Sequence, residues 1–229
     1  MAGTKYFSDE TFKFLRELAA NNNKPWFQEN KPRYEKHIKE PGKCFIEDFQ
    51  APLAKISKHF VADPRGNGGS LFRIYRDTRF SNDKRPYKTN LGLRFSHESA
   101  KNVHAPGYYL HASNDGVWAG CGIWHPDSDS LGRIRDAIIE NPKKWKRARD
   151  ARKFTDAFDT QGDSLKRPPR GYDPDHPMIE DLKRKDFIGG AKMTKKVFTS
   201  GTLMDEFVRL CKAAEPLNRF LCEALDVPY

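Results

Sequence analysis

The sequence predicts one α+β domain over residues 1–229, a central, mostly antiparallel sheet with helices packed around it. Three observations predict it. Apolar residues recur at spacings of three and four through the first sixty positions. They alternate with period two around Asn114-Asp115-Gly116 in the middle of the chain. Helical spacing then returns after Pro126. A length of 229 residues favours one large domain, and 37% hydrophobic content with 16 Phe predicts a core built largely from rings.

The first helix is announced by Ser8 as a cap, by Asp9 and Glu10 in the first turn, and by Phe7 placed to staple onto Phe12. Phe12, Leu15, Leu18 and Ala19 form its apolar stripe, and Asn21 to Asn23 end it. Lys24-Pro25-Trp26-Phe27 reads as a rigid aromatic corner, and a second helix is expected from Pro32 to just before Pro41. Phe45, Phe49, Leu53, Ile56 and Phe60 mark a third helix, kinked at Pro52, and Asp63 to Ser70 reads as a loop.

Four strands are expected next. Phe72 and Ile74 face the core while Arg73 and Tyr75 face away. Leu91, Leu93 and Phe95 alternate with Gly92, Arg94 and Ser96. Gly107 to Ala112 and Val117 to Trp124 flank the Asn114-Asp115-Gly116 hairpin turn. After Asp127 or Ser128 as a cap, Leu131, Ile134, Ile138 and Ile139 predict a helix, and Asn141-Pro142 opens a short basic one. Gln161 to Pro177 is a Pro/Gly-rich loop. Helices follow after Pro177, over about 202–214, and beyond Glu215-Pro216.

Lys and Arg total 41 against 31 Asp and Glu, a net charge of +10 that favours phosphates, nucleic acids or other anions as partners. Cys44, Cys121, Cys211 and Cys222 form no C-x-x-C pair, which fits a reduced cytoplasmic setting. MAGTKYFSDE has no apolar signal core and no run approaches 18 apolar residues, so no membrane span is expected. No nucleotide-binding loop, nucleophile elbow or dinucleotide fingerprint is present. His97, His104, His111, His125 and His176 do not fall at metal-site spacing, so no metal, cofactor or oligomeric state is encoded in a motif.

The densest chemistry lies in Phe72 to Asn90, FRIYRDTRFSNDKRPYKTN. Arg73, Arg76, Arg79, Lys84, Arg85 and Lys88 surround only Asp77 and Asp83, with Phe72, Tyr75, Phe80 and Tyr87 interleaved. Guanidinium forks suit phosphate or carboxylate, and the two aspartates can orient them. The alternative is a salt-bridge lattice that ties a loop to the sheet. Leu165 to Tyr172, LKRPPRGY, is a second basic segment, stiffened by proline, that could close over a ligand held by the first. The cations of Lys143 to Arg149 read as a solvated helix. Gly120 and Gly122 bare one strand face, with Trp118 and Trp124 flanking the patch and Ala119, Cys121 and Ile123 facing the core.

An ordered set of motifs resembles the DUF2461 family of bacterial and fungal proteins. The matching residues are Phe14-Leu15, Leu18 to Asn22, Trp26-Phe27, Arg73 to Ser81, Asp83-Lys84, Pro86-Tyr87-Lys88, Gly107-Tyr108-Tyr109, Ala119 to Gly122, and Leu165-Lys166-Arg167 with Pro169, Gly171 and Tyr172. The resemblance runs through nearly the whole chain. It implies a single domain and brings no activity, substrate or cofactor with it.

The residues alone predict an anion-binding groove lined by Arg73, Arg76, Arg79, Lys84 and Lys88, with Trp26, Tyr75 and Tyr87 as stacking rings and Lys166, Arg167 and Arg170 on its rim. One alternative is a phosphoesterase or nuclease using Asp77 or Asp83 as base or metal ligand. Another is a structural or interaction protein whose Arg-Asp network only holds the fold.

Overall fold

The structure, a computed structural model, describes residues 3–101 and 104–229. Its centre is a five-stranded sheet made of β1 (Asn90–Ser96), β2 (Gly107–Ser113), β3 (Gly116–Ile123), β4 (Asp159–Gln161) and β5 (Phe187–Met193). The order is β1-β2-β3-β5-β4 and every pairing is antiparallel. The hairpin signal at Asn114-Asp115 lies where expected, since Ser113 pairs with Gly116 across it.

Two strand expectations need correction. Leu71 to Tyr75 forms no full strand: it makes one isolated bridge to β1, Leu71 with Leu93, and a second from Tyr75 to Tyr87. Phe72 therefore does not face the core. It is 37% exposed and lies over the outer side of the sheet, while Ile74 is buried as expected. Both β4 and β5 lie outside the expected set. In β5, Gly189-Gly190 hides an alternation that the register makes plain, with Phe187, Gly189 and Ala191 on the core side and Ile188, Gly190 and Lys192 on the other.

The helices are α1 (Asp9–Ala20), α2 (Lys24–Tyr34), α3 (Glu40–Ile56), α4 (Ser128–Glu140), α5 (Pro142–Arg149), the single turns α6 (Arg152–Thr155), α7 (Ile179–Leu182) and α8 (Lys195–Phe198), then α9 (Leu203–Ala213) and α10 (Glu215–Ala224). Lys24 to Phe27 is not a corner but the first turn of α2. The Asn23 side chain accepts from Trp26 N at 3.0 Å, and Pro25 needs no hydrogen bond there. The expected boundary at Pro41 is also absent, because a π-helical turn, Glu35–Lys39, joins α2 to α3. Pro41 has no N–H to give His37, and the Thr11 hydroxyl donates to that carbonyl instead, at 3.0 Å. Phe7 and Phe12 meet through Phe198, stacked on Phe7 at 4.5 Å and edge-on to Phe12 at 5.6 Å. In α4, Ile134 and Ile138 are buried but Ile139 is exposed, and Arg135 takes an inward position.

Helices cover one face of the sheet. Phe49 of α3 meets Phe95 at 4.7 Å, Phe207 of α9 meets Phe95 at 5.6 Å, and Trp145 of α5 meets Phe187 at 5.7 Å. Burying each such ring contributes about 2 kcal/mol. The core is one continuous cluster from Phe7 to Leu225. The other face of the sheet carries Arg94, Tyr109, His111, Trp118, Gly120 and Lys192, all partly or fully exposed. No helix of the described residues is long and apolar enough to cross a membrane.

Candidate functional site

The Phe72–Asn90 stretch runs along the β1 edge. Phe72 N donates to Gly92 O at 2.9 Å, and Arg94 N donates to Ser70 O at 2.8 Å. The chain then leaves the sheet and folds back on itself. Arg76 N donates to Pro86 O (2.9 Å) and Lys88 N to Ile74 O (2.7 Å), closing a loop over residues 77–85. Asn22, at the α1–α2 junction, clamps this ladder from outside. Its amide donates to Tyr87 O at 2.9 Å and its carbonyl accepts from Tyr87 N at 3.0 Å.

The two aspartates hold most of the cations. Asp77 takes Arg79 in a two-pronged pair, Nε to Oδ1 at 3.0 Å and Nη2 to Oδ2 at 2.7 Å. Asp83 takes Arg85 in the same way and also Arg76, whose Nη1 lies 2.5 Å from Oδ2. Lys84 Nζ donates to Thr78 O at 3.0 Å. The Arg79 hydrogen bonds lower the Asp77 pKa to about 2, and the Arg85 and Arg76 hydrogen bonds hold Asp83 well below the usual carboxylate range. Carboxylates so engaged have little basicity and few free lone pairs. Among the described residues no three His, Cys, Asp or Glu side chains gather to hold a metal ion.

Arg73 and Lys88 make no ion pair among the described residues. Lys88 is half-buried, its Nζ 5.0 Å from the centre of the Phe72 ring. Burial, together with the nearby Arg73 charge, pushes its pKa down. An anion placed between these two cations relieves both penalties.

The geometry redirects several expectations for this site. Tyr87, expected as a stacking ring, is 2% exposed, and its face is taken by Phe27 at 4.1 Å. Trp26 is half-buried against Phe14, 5.9 Å away, whereas Tyr75 is 49% exposed. Lys166, Arg167 and Arg170 are exposed but follow β4, at the sheet edge opposite β1. Four strand spacings, about 19 Å, separate the two edges. Tyr172 anchors the loop, donating to Asp136 at 2.9 Å, with the Arg135 guanidinium 5.8 Å from its ring. One groove of about 640 Å³, lined by Lys55, Lys153 and Lys212 among others, lies among the helices and includes none of the Phe72–Asn90 cations.

The sequence pointed to the bare patch of Gly120 and Trp118 but did not join it to Tyr109, His111 and Lys192 or to the Arg73–Lys88 edge. The sheet register sets Gly92, His111, Trp118 and Lys192 in one row across the open face, and Arg94, Tyr109, Gly120, Gly190 and Asp159 in the next. A Cβ on Gly92 would lie 2.6 Å from the Tyr109 hydroxyl and 3.1 Å from Phe72. One on Gly120 would lie 3.1 Å from Trp118. The rings therefore lie down on bare backbone: Tyr109 is 5.7 Å from Phe72 and 5.0 Å from Trp118, which stacks on His111 at 4.9 Å. Partial burial raises the Tyr109 pKa to about 12 and lowers that of His111, so both rings are neutral at pH 7. The alternation of Tyr109 and His111 with Tyr108 and Leu110 is the signal that could have placed them there.

No curated protein and no solved structure matches the chain. The family model described as "Conserved hypothetical protein (DUF2461)" matches residues 10–220, a span from the first turn of α1 into α10 that includes the arginine-rich edge and the whole sheet. The chain belongs to the DUF2461 family.

Proposed function

We propose that the protein binds a phosphate-bearing anion, a nucleotide or a nucleic acid, at the β1 edge of the sheet through Arg73 and Lys88. One observation carries this reading: Arg73 and Lys88 stand together and form no ion pair among the described residues, Asp77 acting on Arg73 only through space, in a stretch where Asp77 and Asp83 engage Arg76, Arg79 and Arg85. Arg76 and its neighbours shape the loop, while Arg73 and Lys88 supply unspent charge next to the exposed rings of Phe72 and Tyr75. The net charge of +10 draws anions toward the protein as a whole.

Calorimetric titration with inorganic phosphate, AMP, ATP and an eight-residue oligonucleotide tests the reading. At least one phosphate-bearing probe is expected to bind, and the Arg73→Ala/Lys88→Ala double variant to bind at least tenfold more weakly with its melting temperature intact. Absence of binding by every probe, or undiminished binding in a folded double variant, rejects it. The phosphoesterase alternative draws less support, since Asp77 and Asp83 are already engaged by arginines. It requires Mg²⁺- or Mn²⁺-dependent turnover of a phosphodiester that Asp77→Asn abolishes.

A further inference from the structure

The open face of the sheet has the parts of a stacking platform. Trp118 is 37% exposed and Phe72 equally so, Tyr109 lies between them, and the helices that meet the sheet through Phe95 and Phe187 do so on the other face. An uncovered aromatic face of this kind marks a surface that meets a partner. Gly92 and Gly120 let Phe72, Tyr109 and Trp118 lie flat against the strands, and the Gln161 side chain covers Gly190.

The charge around the face identifies the partner. Arg94 rises from β1 and Lys192 from β5, three strand spacings or about 14 Å apart, and neither forms an ion pair among the described residues. Arg73 and Lys88 continue the same positive border beyond β1. Among the described strand residues of this face the carboxylate is Asp159, on the short edge strand β4, and Asp115 of the β2–β3 turn lies close enough to act on His111. Aromatics in the middle with cations on both sides complement a chain of bases joined by phosphates. An apolar protein segment would leave those cations unpaired, and a duplex would hide its bases from the rings.

We propose that the open face binds a single-stranded nucleic acid, with bases stacked on Trp118, Tyr109 and Phe72 and phosphates on Lys192, Arg94 and the Arg73–Lys88 edge. The proposal deepens the phosphate-binding reading and rests on it. Stacking and phosphate contacts both ignore the sugar, so oligouridylate and oligothymidylate are expected to bind alike.

Fluorescence anisotropy with 5′-fluorescein-labelled eight-residue oligothymidylate and oligouridylate in 50 mM salt tests it, with AMP, a duplex of equal length and octaglutamate as competitors. Both single strands are expected to bind, at least tenfold tighter than AMP and tighter than duplex or octaglutamate. Trp118→Ala is expected to weaken single-strand binding about tenfold, the size of one lost base stack. Lys192→Ala should weaken the oligonucleotides and leave AMP unchanged. Octaglutamate or duplex competing as well as a single strand overturns the proposal, and so do Trp118→Ala and Lys192→Ala proteins that bind like the parent. If Arg73→Ala/Lys88→Ala loses AMP while Trp118→Ala leaves oligonucleotide affinity unchanged, the edge binds phosphate and the platform claim alone falls. If AMP and oligonucleotide both fail to bind, both claims fall.

Discussion

Asn22 couples the α1–α2 junction to the arginine-rich edge by pairing its side-chain amide with both backbone groups of Tyr87, as a neighbouring strand would. Asn22→Ala leaves that N–H and C=O without their partners and is expected to cost about 2 kcal/mol, read as a lower urea midpoint at unchanged slope. Asp83 offers a pH test. Its folded-state pKa lies below the unfolded value near 3.9 because Arg85 and Arg76 hydrogen-bond the charged form. Its contribution to stability is therefore complete above that unfolded value and fades as pH falls through the folded one. Asp83→Asn is expected to melt below the parent at pH 7, with the gap shrinking below about pH 3 in paired thermal scans. The arginines and aspartates themselves were plain in the sequence, but their division of labour was not. Which carboxylate meets which guanidinium depends on how residues 77–85 close, and no local pattern encodes that. Asn22 was equally hidden, because its partner is 65 positions away and offers only backbone.

At the scale of elements, legibility follows periodicity. The β2–β3 hairpin, β1, α1, α4 and α9 were all readable, because each carries a run of apolar residues at its own period and a recognisable turn or cap. β5 was not, since Gly189 and Gly190 leave only Phe187, Ile188 and Ala191 to carry the alternation. The continuation of α2 into α3 was missed because Pro32 and Pro41 signal breaks, whereas a π-helical turn and the Thr11 hydroxyl accommodate the second of them. The glycines of the open face also allow an element-scale test. Gly92→Ala pushes a methyl group against the Tyr109 hydroxyl and Phe72, and is expected to cost about 1–2 kcal/mol while disturbing the tyrosine and tryptophan signals in near-ultraviolet circular dichroism. An unchanged spectrum and midpoint would mean that those rings do not lie down on the strand.

Over the whole molecule, the sheet divides the protein into a packed side and an open side. Helices fill the first with rings, and the second presents rings and cations together along β1, β2, β3 and β5. The α+β class and the arginine-rich make-up of residues 72–90 could be read from residues alone. The pairing of that stretch with an open sheet face could not, because it depends on Leu71 bridging Leu93 and on Phe72 turning outward. The second basic segment, by contrast, follows β4 at the far edge of the sheet. The most direct measurement of the central claim is a ¹H–¹⁵N shift map during titration with a phosphate-bearing oligonucleotide. The largest changes are expected at Arg73, Lys88, Gly92, Tyr109 and Gly120. Changes confined to Lys166–Arg170, or to the helical groove lined by Lys55, Lys153 and Lys212, would contradict it.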